Sequence, residues 1–408
     1  MNNKRQRNKL FTMLMLVIAL LIPQWGWAQE ASTPSGGNGS TDNPYIITKA
    51  EELEWFRDQV NSGKTSICAK IADDVNAIDM RTVCHASDAS KNIEELSWKP
   101  IGNSNKMYEG TFDGNGKTIT NLYINATQAY MGFFGRTEKS TIKNLTFENA
   151  NVTNTQSNTG ILVGKAGYRS TLKNIKISKT CQMKGDWDTG GIAGELDGNA
   201  YNCVNYATVQ GIKIVGGLFG YYCRTGNSIT ACANYGNVTA TSNNAGGLVG
   251  SFYGGTIQDC ANYGDVKGTY RVAGMAGFVS EGKVQNVFSY GNVSATDNTQ
   301  EVGMAFGYSG NGTTEGMVAY YSGAKLTANS QEQTVKAFGS GKLSEDNATG
   351  FTEAQLKSGV VAYLLQQNAS SEAKWGQNLA NNGDVYPVIG SEYTVYSDNS
   401  LVNCKTNE

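Results

Sequence analysis

Histidine, proline and charge are scarce in this 408-residue chain, which holds one His, five Pro and only 17% charged residues. Ser-His-Asp triads and most zinc sites need a positioned histidine, so His85 alone leaves little material for either kind of chemistry. A net charge of −2 offers no positive field to a phosphate backbone. The sequence therefore predicts no cofactor, no metal site and no nucleic-acid partner.

Long apolar runs are also missing, except near the N-terminus. Basic residues in the first nine positions precede an apolar stretch at 10–23, and the segment ends in small residues at Ala28. This order is typical of a secretory signal cleaved after Ala28, and the run is short for a membrane span. We expect an exported bacterial protein, secreted or at the cell surface, with the periplasm as an alternative. No membrane span is expected after cleavage.

Glycine, by contrast, is abundant, with 49 residues. A block of glycine, apolar residues and a closing glycine recurs along the chain, for example at 190–194 and 246–250. From Gly135 to Gly277 the closing glycines are separated by 29, 30, 26, 30 and 27 residues. A near-constant period of this size indicates a solenoid or a propeller. A second block follows each glycine block, as in the Ile-Gln-Asp-Cys-Ala-Asn-Tyr-Gly-Asp-Val of 257–266.

Short apolar stretches with a period of two, about three in each repeat, predict strands rather than helices. No suitable hairpin turn joins them, so each strand is expected to pair with its equivalent in the next coil, about 4.8 Å away. Propeller blades need four antiparallel strands and usually longer periods. The predicted fold is all-β: a right-handed parallel β-helix with one coil per roughly 28 residues.

The two ends of such a solenoid must be covered. Thr48 as N-cap with Glu51 as its capping-box partner predicts a short amphipathic helix, which would cover the N-terminal end. A helix near 352–367 and short strands are expected to close the other end; the tail residues involved are Trp375, Tyr386, Val388 and Tyr393. A separate small domain at the C-terminus is the alternative. The predicted segments are a signal peptide (1–28), a lead-in (29–48), an N-terminal cap helix with a first irregular coil (49–110), the repeats (111–340) and a C-terminal cap (341–408).

The cysteines become intelligible when the repeats are aligned. Cys203, Cys232 and Cys260 share one column with residues of the other coils, namely Leu122, Leu145, Ile175 and Val287. A column shared with Leu, Ile and Val is a core position, so we predict buried, unpaired thiols. A disulfide is most plausible between Cys68 and Cys84, which lie in a non-repeating segment.

Asparagine and tyrosine form two further columns. Asn205, Asn234 and Asn262, with Ser289, are expected to hydrogen-bond along the stack, and the glycine two residues later to supply a positive φ at the turn. The tyrosines either cover this turn or form an aromatic strip for sugar rings or a partner surface. They are the candidate ligand-binding residues: Tyr206, Tyr235, Tyr263 and Tyr290.

Together these features resemble the bacterial surface proteins named for the Gly-Leu-x-Gly (GLUG) repeat. The similarity includes the Asn-Pro-Tyr-Ile-Ile-Thr of 43–48, the Trp-Lys-Pro-Ile-Gly of 98–102, the segment 108–122 and the glycine blocks. The resemblance implies a right-handed parallel β-helix at a bacterial surface, often adhesive, without catalytic residues in the motif. Some larger relatives, including bacterial IgA peptidases, join such repeats to a zinc protease; its His-Glu-x-x-His helix has no counterpart here.

The sequence favours a binding or adhesion module without catalysis, in contact with a glycan or a host or cell-surface protein. A polysaccharide lyase or glycoside hydrolase is the alternative, since paired carboxylates can act as acid and base. The candidate carboxylates, with a nearby tryptophan and arginine, are Asp186, Asp188, Glu195, Asp197, Trp187 and Arg169. Other coils lack matching carboxylates, so a loop with solvated charges is favoured. A spacer without ligand is the third possibility.

Overall fold

The structure is a computed structural model that describes residues 32–297, 300–366, 375–380 and 383–390. The predicted signal peptide and Tyr393 lie outside these residues. Strands make up 49% of the structure and form a parallel β-solenoid of about 8 turns. The predicted fold class is therefore confirmed.

Each complete coil contributes strands to as many as four walls. The glycine wall follows the Gly-Gly-apolar blocks, and its strands pair in parallel from coil to coil. Its strands are Phe134–Thr137, Val163–Ala166, Ala193–Leu196, the start of Phe219–Thr230, the start of Val249–Asn262, Ala276–Val279, Phe306–Ser309 and Phe338–Gly341.

The cysteine wall comes next along each coil and carries the Cys, Asn and Tyr columns. Two long strands, Phe219–Thr230 and Val249–Asn262, run continuously from the glycine wall into it. Its other strands are Tyr45–Ile47, Ala69–Ile71, Ala77–Asp79, Thr111–Thr120, Thr141–Glu148, Thr171–Ile177, Asn199–Tyr201, Val204–Asn205, Ala233–Asn234, Lys283–Ser289, Thr313–Tyr321 and Thr349–Phe351.

Two smaller sheets complete the coils. The valine wall consists of Tyr123–Ala126, Asn151–Asn154, Gln182–Lys184, Thr208–Gly211, Val238–Ala240, Val266–Gly268, Val293–Ala295 and Leu326–Ala328, with Gln331–Gln333 added antiparallel. The short wall consists of Trp187–Gly190, Lys213–Gly216, Asn243–Gly246, Tyr270–Ala273 and Val302–Gly303.

The cysteine column lies in the core as predicted. Leu145 pairs with Ile175, and Cys260 pairs with Val287. Between them, the amide of Cys203 donates to the Sγ of Cys232 at 3.4 Å, and the amide of Cys232 donates to the Sγ of Cys260 at 3.4 Å. All of these side chains are buried, so the thiols act as small apolar side chains.

Leu122 does not belong to this column. The glycine-containing turn at 113–117 shifts the register, so Lys117 rather than Leu122 pairs with Leu145. Tyr123 pairs with Asn151, which places the buried Leu122 beside Ala150 at the next corner. The predicted alignment was wrong for this coil because a bulge inserts residues between its two half-strands.

The proposed disulfide is absent: every cysteine within the described residues is free, including Cys68 and Cys84. The two thiols lie at different places in the coil. The Sγ of Cys68 accepts the amide of Thr111 at 3.4 Å, whereas the Sγ of Cys84 accepts the amide of Tyr123 at 3.3 Å. Burial raises the pKa of Cys84 to about 12. Both cysteines are therefore buried, unpaired thiols that pack in the core.

The asparagine column forms the predicted hydrogen-bonded file. Asn205 Nδ2 donates to Asn234 Oδ1 at 2.9 Å, and Asn234 Nδ2 donates to Asn262 Oδ1 at 2.8 Å. The predicted positive φ at the following glycine is wrong. Gly236 has an ordinary φ, and a Cβ there would lie 1.9 Å from the carbonyl oxygen of Ala207. Close backbone approach, not turn geometry, accounts for this glycine.

The N-terminal helix α1 spans Ala50–Asn61 and buries Leu53, Phe56 and Val60 against the first coils. Its capping differs in detail from the prediction. Lys49 occupies the N-cap position, and Glu52 rather than Glu51 reaches back: its Oε2 accepts the amide of Thr48 at 2.6 Å and the hydroxyl of Thr48 at 3.0 Å. The carboxylate thus satisfies donors that precede the first turn.

The predicted C-terminal helix and strands are also present. Helices α2 (Glu353–Lys357) and α3 (Val360–Gln366) are separated at Gly359, and the strands Trp375–Gly376 and Val388–Ile389 pair antiparallel. These elements pack on the outer face of the cysteine wall. The core of the last coils is covered by side chains that precede them, Val335, Leu343 and Ala348.

Candidate functional site

The predicted ligand-binding tyrosines stack along the cysteine wall. Ring centroids are 4.7 Å apart between Tyr206 and Tyr235 and 4.6 Å apart between Tyr235 and Tyr263. The file then widens to 6.5 Å between Tyr263 and Tyr290. In-register parallel strands produce this spacing, because equivalent side chains repeat once per coil.

The centre of this tyrosine file is covered by the C-terminal segment. Tyr263 is only 8% exposed, its hydroxyl donates to the carbonyl of Pro387 at 2.6 Å, and the ring of Tyr386 stacks on it at 4.5 Å. Tyr206 and Tyr290 are half-buried. The four rings are therefore brought together as expected but do not form an open strip, and their role in ligand binding stays a prediction.

A second aromatic file lies on the glycine wall, and the sequence analysis missed it. Its members are Tyr221, Tyr253, Phe278 and Tyr308, called the open file below. Consecutive ring centroids are 5.1, 5.2 and 5.4 Å apart. Tyr253 is 41% exposed, and the others are half-buried.

A sequence signal for the open file does exist. Three of its members directly follow the closing glycine of a repeat, and Tyr253 lies three residues beyond one. Alternation along the strand turns these positions outward. The next residue along points into the core, as Tyr222 and Val279 do. In the earlier coils the outward position holds charged residues, namely Arg136, Lys165 and Glu195.

Arg271 contacts the last two rings of the open file. The guanidinium carbon of Arg271 lies 4.9 Å from the ring centroid of Phe278 and 5.2 Å from that of Tyr308. Its Nε donates to Glu301 Oε2 at 2.9 Å. The cation–π contacts and the ion pair hold these two rings in place.

The carboxylates proposed for catalysis are held mainly by one lysine. Lys165 Nζ lies 2.6 Å from Glu195 Oε1 and 3.1 Å from Asp197 Oδ2, and Asn158 Nδ2 donates to Glu195 Oε2 at 2.8 Å. The side chains of Glu195 and Asp197 are 15% and 12% exposed. Both carboxylates are thus engaged in a partly buried ion-pair network.

Asp188 and Cys223 border this network. Burial, with the nearby charge of Glu195, raises the pKa of Asp188 to about 6. Cys223 donates to Asp197 Oδ1 at 2.7 Å, and burial raises the pKa of its thiol to about 12. Ligand atoms of Glu195, Asp197 and Cys223 lie within 4.8 Å of one another. A protonated thiol and carboxylates paired with Lys165 make a poor metal site.

The remaining residues of the predicted catalytic group lie apart. Trp187 is 50% exposed and carries Lys213 Nζ at 4.5 Å from its ring centroid. Asp186 accepts the amides of Ile212 and Lys213 through its backbone carbonyl. Arg169 stacks on Tyr168 instead of joining the carboxylates.

A cleft of about 560 Å³ lies near the N-terminal end of the solenoid. It is bounded by the end of α1 and by two loops, with Asn61, Trp98, Asn103, Gln128 and Tyr130 among its lining residues. Asn61 is already committed, because its side chain bonds to the carbonyl of Pro100 and the amide of Gly102. The C-terminal end of helix α1 therefore forms part of the cleft wall and is fixed there by these two hydrogen bonds.

Comparison with known proteins supports the fold. No family model matches the chain. It is 29% identical over 233 residues to halomucin of Haloquadratum walsbyi, and 30% identical over 126 residues to a proposed Gly-rich membrane protein of Evansella cellulosilytica. These matches cover 52% and 31% of this chain but only 2% and 13% of those proteins.

A crystal structure of a proposed immunoglobulin A1 protease from Bacteroides ovatus is similar, with a TM-score of 0.56 and 19% identity. The match covers 87% of this chain and 95% of that one. At this identity the likeness establishes the β-solenoid fold alone. Among the described residues, no helix has the length and apolar character to cross a membrane. Halomucin and the Gly-rich protein carry surface- or membrane-type names.

Proposed function

We propose that this protein is an exported, surface-displayed binding module of the GLUG-repeat type, that its ligand is a glycan, and that it does not catalyse a reaction. The observation that carries the proposal is the open file of Tyr221, Tyr253, Phe278 and Tyr308. Aromatic rings offer apolar faces to sugar rings, and tyrosine adds a polar tip. Export is supported by the N-terminal segment, and surface display by the names of the relatives.

Rigidity is what makes the open file suitable for binding. Each ring stands on a strand paired on both sides, so little conformational entropy is lost when a ligand docks. The stack repeats at about 5 Å along one axis, which suits an extended polymer rather than a small isolated molecule. Unlike the tyrosine file, the open file is not part of the apolar cluster formed with the C-terminal segment, and Arg271 stacks on two of its rings.

A second candidate function is polysaccharide cleavage. Asp188, with a pKa raised to about 6, lies near Glu195 and next to exposed Trp187. A carboxyl group with a raised pKa beside a second carboxyl group is a pattern seen in acid–base catalysis. The ion pairs from Lys165 to Glu195 and Asp197 argue against it, because they hold these carboxylates away from a substrate.

A glycan array followed by affinity electrophoresis tests the binding proposal. We expect retention by at least one polysaccharide, and a loss of about tenfold in affinity for the triple variant Tyr253→Ala, Phe278→Ala and Tyr308→Ala. Leu96→Ala, which removes an exposed apolar side chain elsewhere, should leave affinity unchanged. Equal affinity of the triple variant and the wild type would refute the open file as the site.

Two parallel arms separate the alternatives. The double variant Tyr206→Ala, Tyr290→Ala tests whether the two half-buried members of the tyrosine file bind the ligand. A quadruple variant also replaces Tyr235 and Tyr263 with Ala. A reducing-end assay on every retained polysaccharide tests cleavage. New reducing ends that disappear in Asp188→Asn would establish the catalytic reading instead.

A further inference from the structure

Two arginines stack on one exposed tyrosine at the corner between the glycine and cysteine walls. The guanidinium carbons of Arg169 and Arg224 lie 5.0 Å and 4.7 Å from the ring centroid of Tyr168. Tyr168 is 38% exposed, and both arginines are exposed. The two cations are therefore no more than about 10 Å apart and face solvent.

This arrangement spans three successive coils. Arg169 follows the strand Val163–Ala166, whereas Arg224 lies within Phe219–Thr230, with the coil of Asp197 between them. The intervening turn is short, and Asn227 Nδ2 bridges back to the backbone carbonyl of Asp197 at 2.7 Å. The solenoid itself thus sets the separation of the guanidinium groups.

Neither arginine is neutralised. Within the described part of the chain, no carboxylate lies at ion-pair distance from Arg169 or Arg224. Asp197, the acid in the coil between them, directs its oxygens to Lys165 and to the thiol of Cys223. Two cations held close together repel each other, and the tyrosine ring offsets only part of that cost. Both guanidinium groups are exposed and can therefore donate to an anion with several acceptor oxygens.

We propose that the Arg169–Tyr168–Arg224 group is an anion subsite that binds the carboxylate or sulfate groups of an acidic glycan. The inference rests on the proposed glycan-binding function and names the ligand class. A guanidinium presents a planar fork that matches these anions in a bidentate way. Arg224 lies three residues beyond Tyr221, the first ring of the open file. One polymer can therefore contact both the rings and the arginines.

The experiment compares polymers that share a backbone and differ in charge. The full chain is titrated with polygalacturonate and with its fully methyl-esterified form, and with dextran sulfate and unmodified dextran. We expect Arg169→Gln with Arg224→Gln to lower affinity for a charged polymer by about tenfold or more and to flatten its salt dependence. Affinity for the uncharged counterpart should not change. The preferred charged polymer shows whether carboxylate or sulfate is recognised.

Controls separate charge from geometry and from folding. Arg224→Lys keeps the charge but loses the fork, so we expect an intermediate loss. Arg81→Gln removes an arginine at a distant place in the chain and should have no effect. Unchanged circular dichroism of the double variant shows that the solenoid is intact.

The failures are distinguishable. If the charged and uncharged polymers bind equally, or if the double variant keeps its affinity for the charged one, the anion subsite is wrong while the glycan-binding module stands. If the wild-type chain retains no polysaccharide, charged or uncharged, both proposals fall.

Discussion

At the scale of single residues, the buried asparagines show how one polar side chain can hold a stack of coils together. The Oδ1 of Asn234 accepts from Asn205 Nδ2 at 2.9 Å, and its Nδ2 donates to Asn262 Oδ1 at 2.8 Å and to the carbonyl of Gly236 at 2.7 Å. Every one of these atoms is away from water, so the bonds within the file replace hydration that the core cannot supply.

We therefore expect Asn234→Ala to lower the free energy of unfolding by about 2–4 kcal/mol, because it leaves polar groups of both neighbouring coils unpaired. Urea denaturation monitored by circular dichroism measures the change. Asn237→Ala, an exposed asparagine in the same coil, is the control and should cost less than about 1 kcal/mol. Equal losses would mean that the file contributes no more than surface hydrogen bonds.

Asp188 introduces a pH dependence of known sign. Its pKa is raised from 3.8 to about 6, mainly by burial, so the folded state binds a proton more readily than the unfolded state. The contribution of Asp188 to stability is therefore fully present below about pH 4 and is lost as the pH rises through about 6. At the equivalent left-handed position the preceding coil carries Asn158 and the following coil Ile214, with Asn244 one coil further on.

Asp188→Asn should therefore stabilise the protein at pH 7 by about 1–2 kcal/mol and have little effect at pH 4. Urea midpoints of variant and wild type at the two pH values check this result. Asp42→Asn, at an exposed site, is the control for the loss of one negative charge. A stabilisation that is the same at both pH values would contradict the assigned pKa.

At the scale of elements, the C-terminal segment can pack on the cysteine wall because the outward face of that wall becomes apolar along the stack of coils. The outward column is polar at Lys176 but apolar from the next coil onward, and these positions are successive partners in the sheet: Val204, Ala233, Ala261, Phe288 and Ala319. Helix α3 and Trp375 pack on this apolar surface. The segment therefore covers a surface that would otherwise be exposed and prone to association.

We expect Trp375→Ala to release this segment without unfolding the solenoid. Trp375 is fully buried, and its Nε1 donates to the carbonyl of Asp259 at 3.0 Å, so its loss should cost about 3–5 kcal/mol of docking energy. Hydrogen exchange should become fast in Val360–Gln366 and stay slow in Lys283–Ser289. Leu379→Ala, at an exposed site, is the control. Simultaneous loss of protection in both elements would show that the segment and the solenoid unfold as one unit.

At the scale of the whole molecule, stability arises from contacts between neighbouring coils. Every pairing in the three main sheets joins one coil to the next, except the antiparallel pair that involves Gln331–Gln333. A chain of this kind behaves approximately as a sum of coils and interfaces between neighbours. Removing one complete coil should then shorten the solenoid and leave its architecture intact.

Deletion of residues 136–164 tests this expectation, because Arg136 and Lys165 are register partners and the cut joins equivalent positions. We expect a folded protein with an unchanged β-type circular dichroism band per residue and a modestly lower melting temperature. Deletion of 136–150 removes about half of that coil and should prevent folding, since it moves core residues to the wrong wall. A folded product from the half-coil deletion would contradict the register argument.

The repeat period and its apolar columns were sufficient to predict the parallel β-solenoid, the buried cysteines and the asparagine file. These features are local and recur, so each coil carries the same signal and errors in one coil matter little. The bulge before Lys117 and the capping role of Glu52 were not predictable, because a single irregular copy offers no repetition to align. The prediction of a Cys68–Cys84 disulfide was wrong for the same reason, because the distance between two cysteines in a non-repeating segment depends on the path of the backbone.

What the sequence determined by itself is the solenoid axis and the files of like residues along it, since in-register pairing of equal repeats follows from periodicity alone. Only the tertiary structure decided which of two aromatic files stays open. The described C-terminal residues (353–366, 375–380 and 383–390) pack over the tyrosine file and not over the rings of the glycine wall. It also brought Arg169 and Arg224, which lie two coils apart, onto one tyrosine ring. This contact depends on side-chain reach and loop length rather than on any repeat.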